Sequence, residues 1–576
     1  LGSSAEGTSG SALVELRVLE GPNLYFPRAA VKLTVDVHAL AAADETELRS
    51  LAAGLGLRSV RAGAPLSGFR QRALVRVVTA VVRRVARESG TTRLGVRVRA
   101  TADADRLVVA FPWRDRARAR ALGEQVVAVL DGLEGGGSLD DLVAAAAAAV
   151  RDTPRGPGPT TVRPRVPLVA VTGTNGKTTT SRMVAHIARE AGHHVGWSST
   201  DGVYVDGVLV EPGDYSGPSG AGQVLSRPEV DFAVTETARG GILLKGIGVT
   251  SNDVSVVTNV TADHLGLQGI DTVDQLAEVK AVVPSITRRD GWAVLNADDP
   301  RTLAMRTVTK AQPWLFSRDP DSPALREVLG AGGRATTVID GWITVLEGRS
   351  SDLLVELVDV PMTLGGLSRF NVENALAAAS AGLAAGLGRA HVVAGLRSFR
   401  PDAEHNPGRM NFFTVPTERG DLCVVMDLAH NEAGLEAMVE IMRGVRAPGG
   451  RLLLGLGAVG DRTDELLEAL GEIAARDTDV VAIGHKQKYL RGRTVEEMDA
   501  LLRAGAERVG VTDVASYPTE LASLQALVAQ AGPDDVVGLM CHAERQEVYD
   551  WLASLGATPD SAERLAARVR RAAAPD

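Results

Sequence analysis

The run Val171-Thr-Gly-Thr-Asn-Gly-Lys-Thr-Thr-Thr180 brings together the residue types that hold a polyphosphate. Gly173 and Gly176 let the chain turn tightly enough to aim several backbone N–H groups at one anion. Lys177 can neutralise β- and γ-phosphates, the Thr178 hydroxyl is placed for Mg²⁺, and Thr174, Asn175 and Thr179 complete the loop. The match is to the Gly-x-x-Gly-Lys-Thr end of a phosphate loop, since Val171 stands where the longer motif has its first glycine. A Val-rich run from Val166 precedes the loop and a helix-like segment to Glu190 follows it, which is the context a nucleotide triphosphate site requires. A ligand-free turn and helix cap would use the same glycines but leaves Lys177 unexplained.

Three more polar clusters follow apolar runs. Val230–Thr235 leads to Glu236, Val254–Asn259 leads to Asp263 and His264, and Ala293–Leu295 leads to Asn296-Ala-Asp-Asp299. Open parallel α/β sheets bind ligands just beyond the carboxyl ends of their strands. Glu236 can serve as a metal ligand or as a helix-capping carboxylate. His264 can ligate a second metal or hydrogen-bond within a core. Lys280 lies in the helical stretch 275–281, where by itself it reads as a surface or snorkelling lysine.

The elements that must position these groups fall into several units, because 576 residues exceed what one core serves. Residues 1–151 read as a small α+β unit. Its strands are expected at 13–19, 31–37, 94–100 and 106–111, and its helices at 46–53, 71–89, 116–130 and 139–150. Gly21-Pro-Asn23 marks a turn that is either packed or a binding loop. Residues 152–165 form a linker, with proline and glycine clustered from Asp152 to Pro159. The stretch 166–402 holds the phosphate loop, a hairpin expected around Asp340-Gly341 and an Ala-rich helix over 371–386. Residues 403–576 repeat apolar strands at 422–426, 452–456, 480–483 and 536–540 between helical segments.

A net charge of -9, from 62 basic and 71 acidic residues, argues against a general nucleic-acid surface. The two cysteines, Cys423 and Cys541, fit a reducing cytoplasm and no disulfide framework. No apolar run reaches the roughly 20 residues that span a bilayer, and the first eleven residues are small and polar without an export pattern. A cytoplasmic chain with no membrane and no nucleic-acid partner is expected.

Taken in order, the loop 171–180, Glu236-Thr-Ala-Arg-Gly-Gly-Ile-Leu243, Thr258-Asn-Val-Thr-Ala-Asp-His-Leu-Gly266, Asn296-Ala-Asp-Asp299, Phe370-Asn-Val-Glu-Asn-Ala375, Asn406-Pro-Gly-Arg-Met-Asn411, Asp427-Leu-Ala-His-Asn431 and Gly460-Asp-Arg462 resemble the Mur ligase superfamily. The resemblance is closest to the Mur-like half of cyanophycin synthetases. Arg17-Val-Leu-Glu-Gly-Pro-Asn23 is similar to the start of their N-terminal domain. Those synthetases carry an ATP-grasp domain between these parts, whereas here the 152–159 linker joins them directly.

The resemblance implies an α/β multidomain fold: the α+β unit, a central P-loop α/β ligase domain and a C-terminal Rossmann-like α/β domain. It implies amide-bond formation from a carboxylate, an amine and ATP. Lys177, His264, Lys280, Arg409 and His430 would be catalytic, and Thr178, Glu236 and His264 would hold Mg²⁺, with two ions expected. Lys280 matches the lysine carbamylated in several Mur ligases. Asn371 and Asn374 would lie near adenine, Arg409 would reach the phosphates, and Asp427 would face ribose or metal. Leu428 stands where the family carries an aromatic residue. Asp461 or Glu544 could meet an amino or guanidinium group. The implied partners are an amino acid and an acidic peptide, cyanophycin-like chain or other carboxylate, with a homo-oligomer or a separate partner ligase also compatible.

Overall fold

The computed structural model describes residues 13–58, 60–263 and 265–573. Leu168–Thr172, buried at every position, lies inside an 11-stranded sheet and pairs in parallel with Asn252–Val257 on one side and Phe232–Glu236 on the other. A strand covered on both faces needs a continuous apolar run rather than alternation, which is what Leu-Val-Ala-Val-Thr supplies. Beyond Asn252–Val257 come Thr287–Asn296, Gln312–Phe316 and Arg334–Ile339, all parallel. Beyond Phe232–Glu236 comes Val195–Ser199, also parallel. Antiparallel pairs finish each edge: Trp342–Glu347 with Ser350–Glu356, and Gly202–Val205 with Val208–Pro212.

One face of this sheet is packed by Lys177–Glu190, Arg369–Ala384 and Arg389–Ser398, and the other by Pro218–Leu225 and Val273–Lys280. The helix Arg369–Ala384 is buried nearly all round, as its alanine-rich sequence requires. Asp340 and Gly341 both adopt positive φ, 48° and 79°, in the tight turn between Arg334–Ile339 and Trp342–Glu347.

The first unit has a four-stranded antiparallel sheet ordered Leu13–Leu19, Ala30–Asp36, Arg106–Pro112, Arg97–Ala100. Gly68–Glu88, Arg116–Glu134 and Leu139–Asp152 pack with it around one core. The strand expected from Leu94 starts only at Arg97, and a five-residue helix, His38–Ala42, was too short to leave a periodic signal. The Gly21-Pro-Asn23 segment is a packed turn rather than an open binding loop. Glu20 N donates to Lys245 O and Ile247 N to Pro22 O, both at 2.7 Å. A Cβ on Gly21 would lie 1.9 Å from Ile247 O. Asn23 donates to Gly21 O and Arg28 O and accepts from Tyr25 N and Phe26 N, so both ends of its amide are used. The Pro/Gly-rich stretch after Asp152 is tied along this unit: Gly156 N donates to Asp115, Arg116 N to Pro157 O and Thr160 N to Glu20.

The last sheet has seven strands ordered Ala515–Tyr517, Val480–Gly484, Leu452–Leu456, Val536–Met540, Gly420–Asp427, Asn411–Thr417, Thr558–Pro559. The first five are mutually parallel, and Asn411–Thr417 pairs antiparallel both with Gly420–Asp427 and with Thr558–Pro559. Among the described residues no helix is long and apolar enough to cross a membrane.

Candidate active site

A cleft of about 590 Å³ lies where the carboxyl ends of the two parallel sheets face each other. The phosphate loop forms its floor on the side of the larger sheet. Gly173 sits at φ 150°, and a Cβ there would lie 1.9 Å from Thr258 Oγ1. Gly176 sits at φ 83°, where a Cβ would lie 2.2 Å from Asn374 Oδ1. Both positions therefore demand glycine. Asn259 staples the loop: its carbonyl accepts from Thr174 N at 2.8 Å and its side chain accepts from Asn175 N at 2.9 Å. Thr174 Oγ1 is held against Thr261, and Thr258 Oγ1 donates to Asn175 O at 2.6 Å. The helix Lys177–Glu190 starts without a side-chain cap, which leaves its first N–H groups for an anion. Lys177 folds back over the loop, with Nζ donating to Thr174 O at 2.8 Å.

Behind the loop, Thr178 Oγ1 donates to Glu236 Oε2 at 2.9 Å. Glu236 is 1 % exposed, and its Oε1 is buried with no hydrogen-bond partner among the described residues. An ionic oxygen left this way calls for a cation. A hydroxyl and a carboxylate are hard oxygen donors that suit Mg²⁺, which needs few protein ligands. No three His, Cys, Asp or Glu side chains converge on a metal position among the described residues. Glu236 is not a helix cap: the helix after it, Arg239–Leu244, has Ala238 at its N-cap. His264, expected as a metal ligand, lies outside the described residues.

Lys280 is no surface lysine. It is 3 % exposed, and its Nζ donates to Gly173 O at 2.6 Å. Burial first, and then the charge of Lys177, push its pKa well below the ordinary lysine value, although Asp263 and Glu236 oppose this. The helix Val273–Lys280 is short, and its docking under the loop turns the terminal lysine inward.

The opposite wall comes from the second parallel sheet and the segment leading into it. Asn406 donates to Thr179 Oγ1 at 3.3 Å and accepts from Arg182 at 3.1 Å. Asn431 donates to Asn175 Oδ1 at 3.1 Å, so this wall touches the phosphate loop directly. Arg409 lines the cleft, half-buried. Asp427 accepts from Met410 N at 2.8 Å, and burial pushes its pKa up to about 6 against the opposing charge of Arg409. His430 packs with Nδ1 3.1 Å from Leu428 O and Nε2 4.0 Å from Asp263 Oδ2. Burial, outweighing Asp263, pushes its pKa down to about 4, so the ring is neutral at pH 7.

The structure thus brings Thr174 to Thr179, Glu236, Lys280, Arg409 and His430 to one cleft. Asn371 and Asn374 do not line it. Asn374 donates to Asn371 Oδ1 at 3.1 Å and accepts from Thr180 Oγ1 at 3.2 Å, directly behind Gly176. Asp427 also stands behind the wall, while the neighbouring Leu428 faces the cleft. Glu544 does not line the cleft and accepts from Leu521 N at 2.9 Å at a helix start. Asp461 lines the cleft and pairs with Arg491. Arg493 turns the other way, donating to the carbonyls of Gly460 and Arg462.

Sequence reasoning missed Arg182 and Asp201. Arg182 is 4 % exposed and pairs with Asp201 at 2.5 Å, and Arg545 reaches the same carboxylate at 3.1 Å. Only the apolar setting of Arg182 within its helix could have hinted at its burial. Asp263, noted only as the neighbour of His264, and Arg239, quoted within the Glu236–Leu243 stretch without a role, also line the cleft.

Residues 171–382 match the Mur ligase middle domain, and residues 408–542 match the Mur ligase glutamate ligase domain. A cyanophycin synthetase of Crocosphaera subtropica is 43% identical over 363 residues, covering 63% of this chain and 40% of that protein. A UDP-N-acetylmuramyl-tripeptide synthetase of Deinococcus radiodurans is 29% identical over 383 residues, covering 64% of this chain and 71% of that one. The chain spans about 40% of the length of the cyanophycin synthetases it matches. The fold is also that of a bifunctional folylpolyglutamate synthase/dihydrofolate synthase from Yersinia pestis complexed with AMPPNP and Mn, at a TM-score of 0.50 and 18% identity over 68% of this chain and 89% of that one. Carrying both domains in the family's order, over 171–382 and 408–542, with the phosphate loop, Glu236, Leu428 and His430 on one cleft, the chain belongs to the Mur ligase family.

Proposed function

We propose that the chain is a cytoplasmic, ATP-dependent carboxylate–amine ligase that forms ADP and phosphate. The observation that carries this reading is the Thr178–Glu236 pair, with its buried free carboxylate oxygen, directly behind a phosphate loop that faces a second ligand-binding wall. Thr178 and Glu236 would hold Mg²⁺, with His264 the ligand for a second ion. The ions, when bound, neutralise phosphate charge.

The carboxylate oxygen of one substrate attacks the γ-phosphorus of ATP, and ADP leaves. The amine of the second substrate then attacks the acyl carbon, and the C–O bond to phosphate breaks. Lys177 has to swing only from its own loop carbonyl to meet the transferring phosphoryl group. Arg409 stands across the cleft for the same charge. His430, with Asp263 beside its Nε2, is assigned the proton the amine sheds on forming the amide; burial lowers its pKa to about 4 and so makes it a weak base that depends on the opposing charge of Asp263. Lys280 is the candidate for carbamylation, because burial favours the neutral amine that reacts with CO₂. Asn371 and Asn374 would set the adenine position through Gly176, and Asp427 with Asn431 would fix the far side of the nucleotide.

The working units in this reading are 1–151, 166–402 and 403–576, joined by 152–165. The substrate class is an acidic peptide or cyanophycin-like chain that receives a single amino acid, with any second ligation supplied by a partner enzyme. The 43% identity to a cyanophycin synthetase over the ligase portion supports it. The test is amino-acid-dependent phosphate release with ATP and Mg²⁺, screening the twenty amino acids against aspartate-containing peptides. Products are read by mass spectrometry, with Lys177→Ala as control. A condensed product names both substrates; failure of the protein to bind nucleotide sinks the reading.

A further inference from the structure

The strand Val536–Met540 delivers His542 to the cleft on the wall opposite the phosphate loop. The backbone N–H groups of His542, Ala543 and Glu544 donate to the Glu520 carboxylate at 2.7, 2.9 and 2.9 Å. Glu520, itself 1 % exposed, pairs with Lys486 Nζ at 3.3 Å. Lys486 Nζ also donates to Gly457 O at 2.9 Å and to His542 Nδ1. A Cβ on Gly457 would lie 2.8 Å from Lys486 Cε, so glycine there leaves room for the lysine.

An ammonium has three donors and no acceptor. Gly457 O, Glu520 and His542 Nδ1 use all three. His542 Nδ1 therefore accepts, and the ring proton resides on Nε2. That nitrogen is buried with no hydrogen-bond partner among the described residues, on a side chain only 10 % exposed. Burial, reinforced by the adjacent Lys486 charge, keeps the ring neutral. A ring in this state cannot take up a proton at Nε2. It can only donate one hydrogen bond, and an orphaned buried donor calls for an acceptor oxygen.

Arg409 and Arg462 line the same cleft and their charges bear on the His542 ring, so that oxygen is favoured to be anionic. The phosphate chain has its own cradle on the other wall. In the proposed reaction, on which this step rests, the reacting carboxylate of the acyl substrate has to meet the γ-phosphate at that other wall, which leaves the carboxylate of the incoming amino acid as the anion for the wall that carries His542. We infer that His542 is a specificity-determining donor whose Nε2–H reads that carboxylate, with Lys486 and Glu520 as positioning residues that fix its tautomer.

The test is NMR of the full chain with ¹⁵N-labelled histidine rings, saturated with Mg·AMPPNP whose binding is followed by calorimetry. The His542 signal, assigned with His542→Asn, is expected to report a proton on Nε2. It should shift when one of the twenty L-amino acids is added, and not with the decarboxylated amine of that amino acid. His542→Gln, whose amide nitrogen reaches the Nε2 position, should hold the amino acid within a few-fold. His542→Asn, whose amide does not, should weaken it by about tenfold or more, with nucleotide affinity unchanged in both. A proton on Nδ1, a response to Mg·AMPPNP but to no amino acid, or an equal response to the decarboxylated amine would each overturn the inference alone. Failure of Mg·AMPPNP to bind would overturn the ligase reading together with it.

Discussion

Arg182 and Asp201 meet at 2.5 Å inside the protein, and Arg545, from the unit on the far side of the cleft, closes on the same carboxylate. One acid thus serves two guanidinium groups from different units. Burial alone would raise the Asp201 pKa, but the two charges, Arg182 above all, hold it below the ordinary carboxylate value. Replacing Asp201 by Asn leaves the buried Arg182 with neutral partners such as Asn406, the Pro407 carbonyl and Tyr204. The expected cost is on the order of 3 kcal/mol, seen as a lower melting temperature in calorimetry. An unchanged melting temperature would show that the network bears no load.

The two carboxylates Asp201 and Asp427 respond to pH in opposite senses. The depressed Asp201 contributes stability above its unfolded value near 3.8 and loses it as pH falls further. The raised Asp427, at about 6, does the reverse: between about pH 4 and 6 it is protonated when folded and ionised when unfolded. Stability from this group therefore falls as pH rises through that window. Melting curves of Asp427→Asn should lack this component while keeping the acid-side loss. If the substituted and original proteins follow the same profile from pH 4 to 6, Asp427 titrates normally.

Gly176→Ala should be far more harmful than Gly56→Ala. Both sites have positive φ, 83° and 72°, which costs a side chain about 1 kcal/mol. Gly56 has nothing within 4 Å, whereas the new Cβ at Gly176 would press on Asn374. Thermal melts and Mg·AMPPNP affinity of the pair separate backbone strain from displacement of Asn374. Equal effects would mean that Asn374 yields freely.

Lys177→Ala and Glu236→Gln should each lower amino-acid-dependent phosphate release by roughly 10²- to 10³-fold. They should differ in how they fail. The lysine variant loses charge on the phosphoryl group at any Mg²⁺ concentration, whereas the glutamate variant should need more Mg²⁺ for half-maximal rate. A Mg²⁺ dependence unaltered in Glu236→Gln would remove that residue from the metal site.

A carbamate on Lys280 should appear as a ¹³C signal when the protein is equilibrated with ¹³C-bicarbonate, and should vanish in Lys280→Arg. Among the described residues the buried amine hydrogen-bonds to Gly173 O alone, and burial shifts it toward the neutral form that reacts with CO₂. A spectrum identical in the two proteins would leave Lys280 as a plain donor to the loop.

What could be read from the chain alone divides along physical lines. Buried parallel strands such as Leu168–Thr172 announce themselves as unbroken apolar runs, and the loop after them is defined by four contiguous residue types. Those signals are local. Lys280 by its own neighbourhood reads as a surface lysine, and only the family resemblance draws it to the site, because its direction depends on how a short helix docks under Gly173, more than a hundred residues away in the chain. Arg182 was passed over because one arginine among many gains its meaning from Asp201 and Asn406. His542 likewise says little until Lys486 and Glu520 stand beside it. Groups set by a partner distant in sequence leave no pattern in their own neighbourhood.

The seam around Gly21 has a mechanical consequence. The Pro/Gly-rich stretch after Asp152 is the covalent tether between the first unit and the rest, but not the only attachment. The paired backbone bonds from Glu20 and Pro22 to Lys245 and Ile247, and the Arg99–Glu278 ion pair, form a second, non-covalent seam. A protease that nicked the tether would yield two fragments on a denaturing gel and one particle on a sizing column. The first unit moves as a fixed limb of the phosphate-loop unit rather than as a bead on a string.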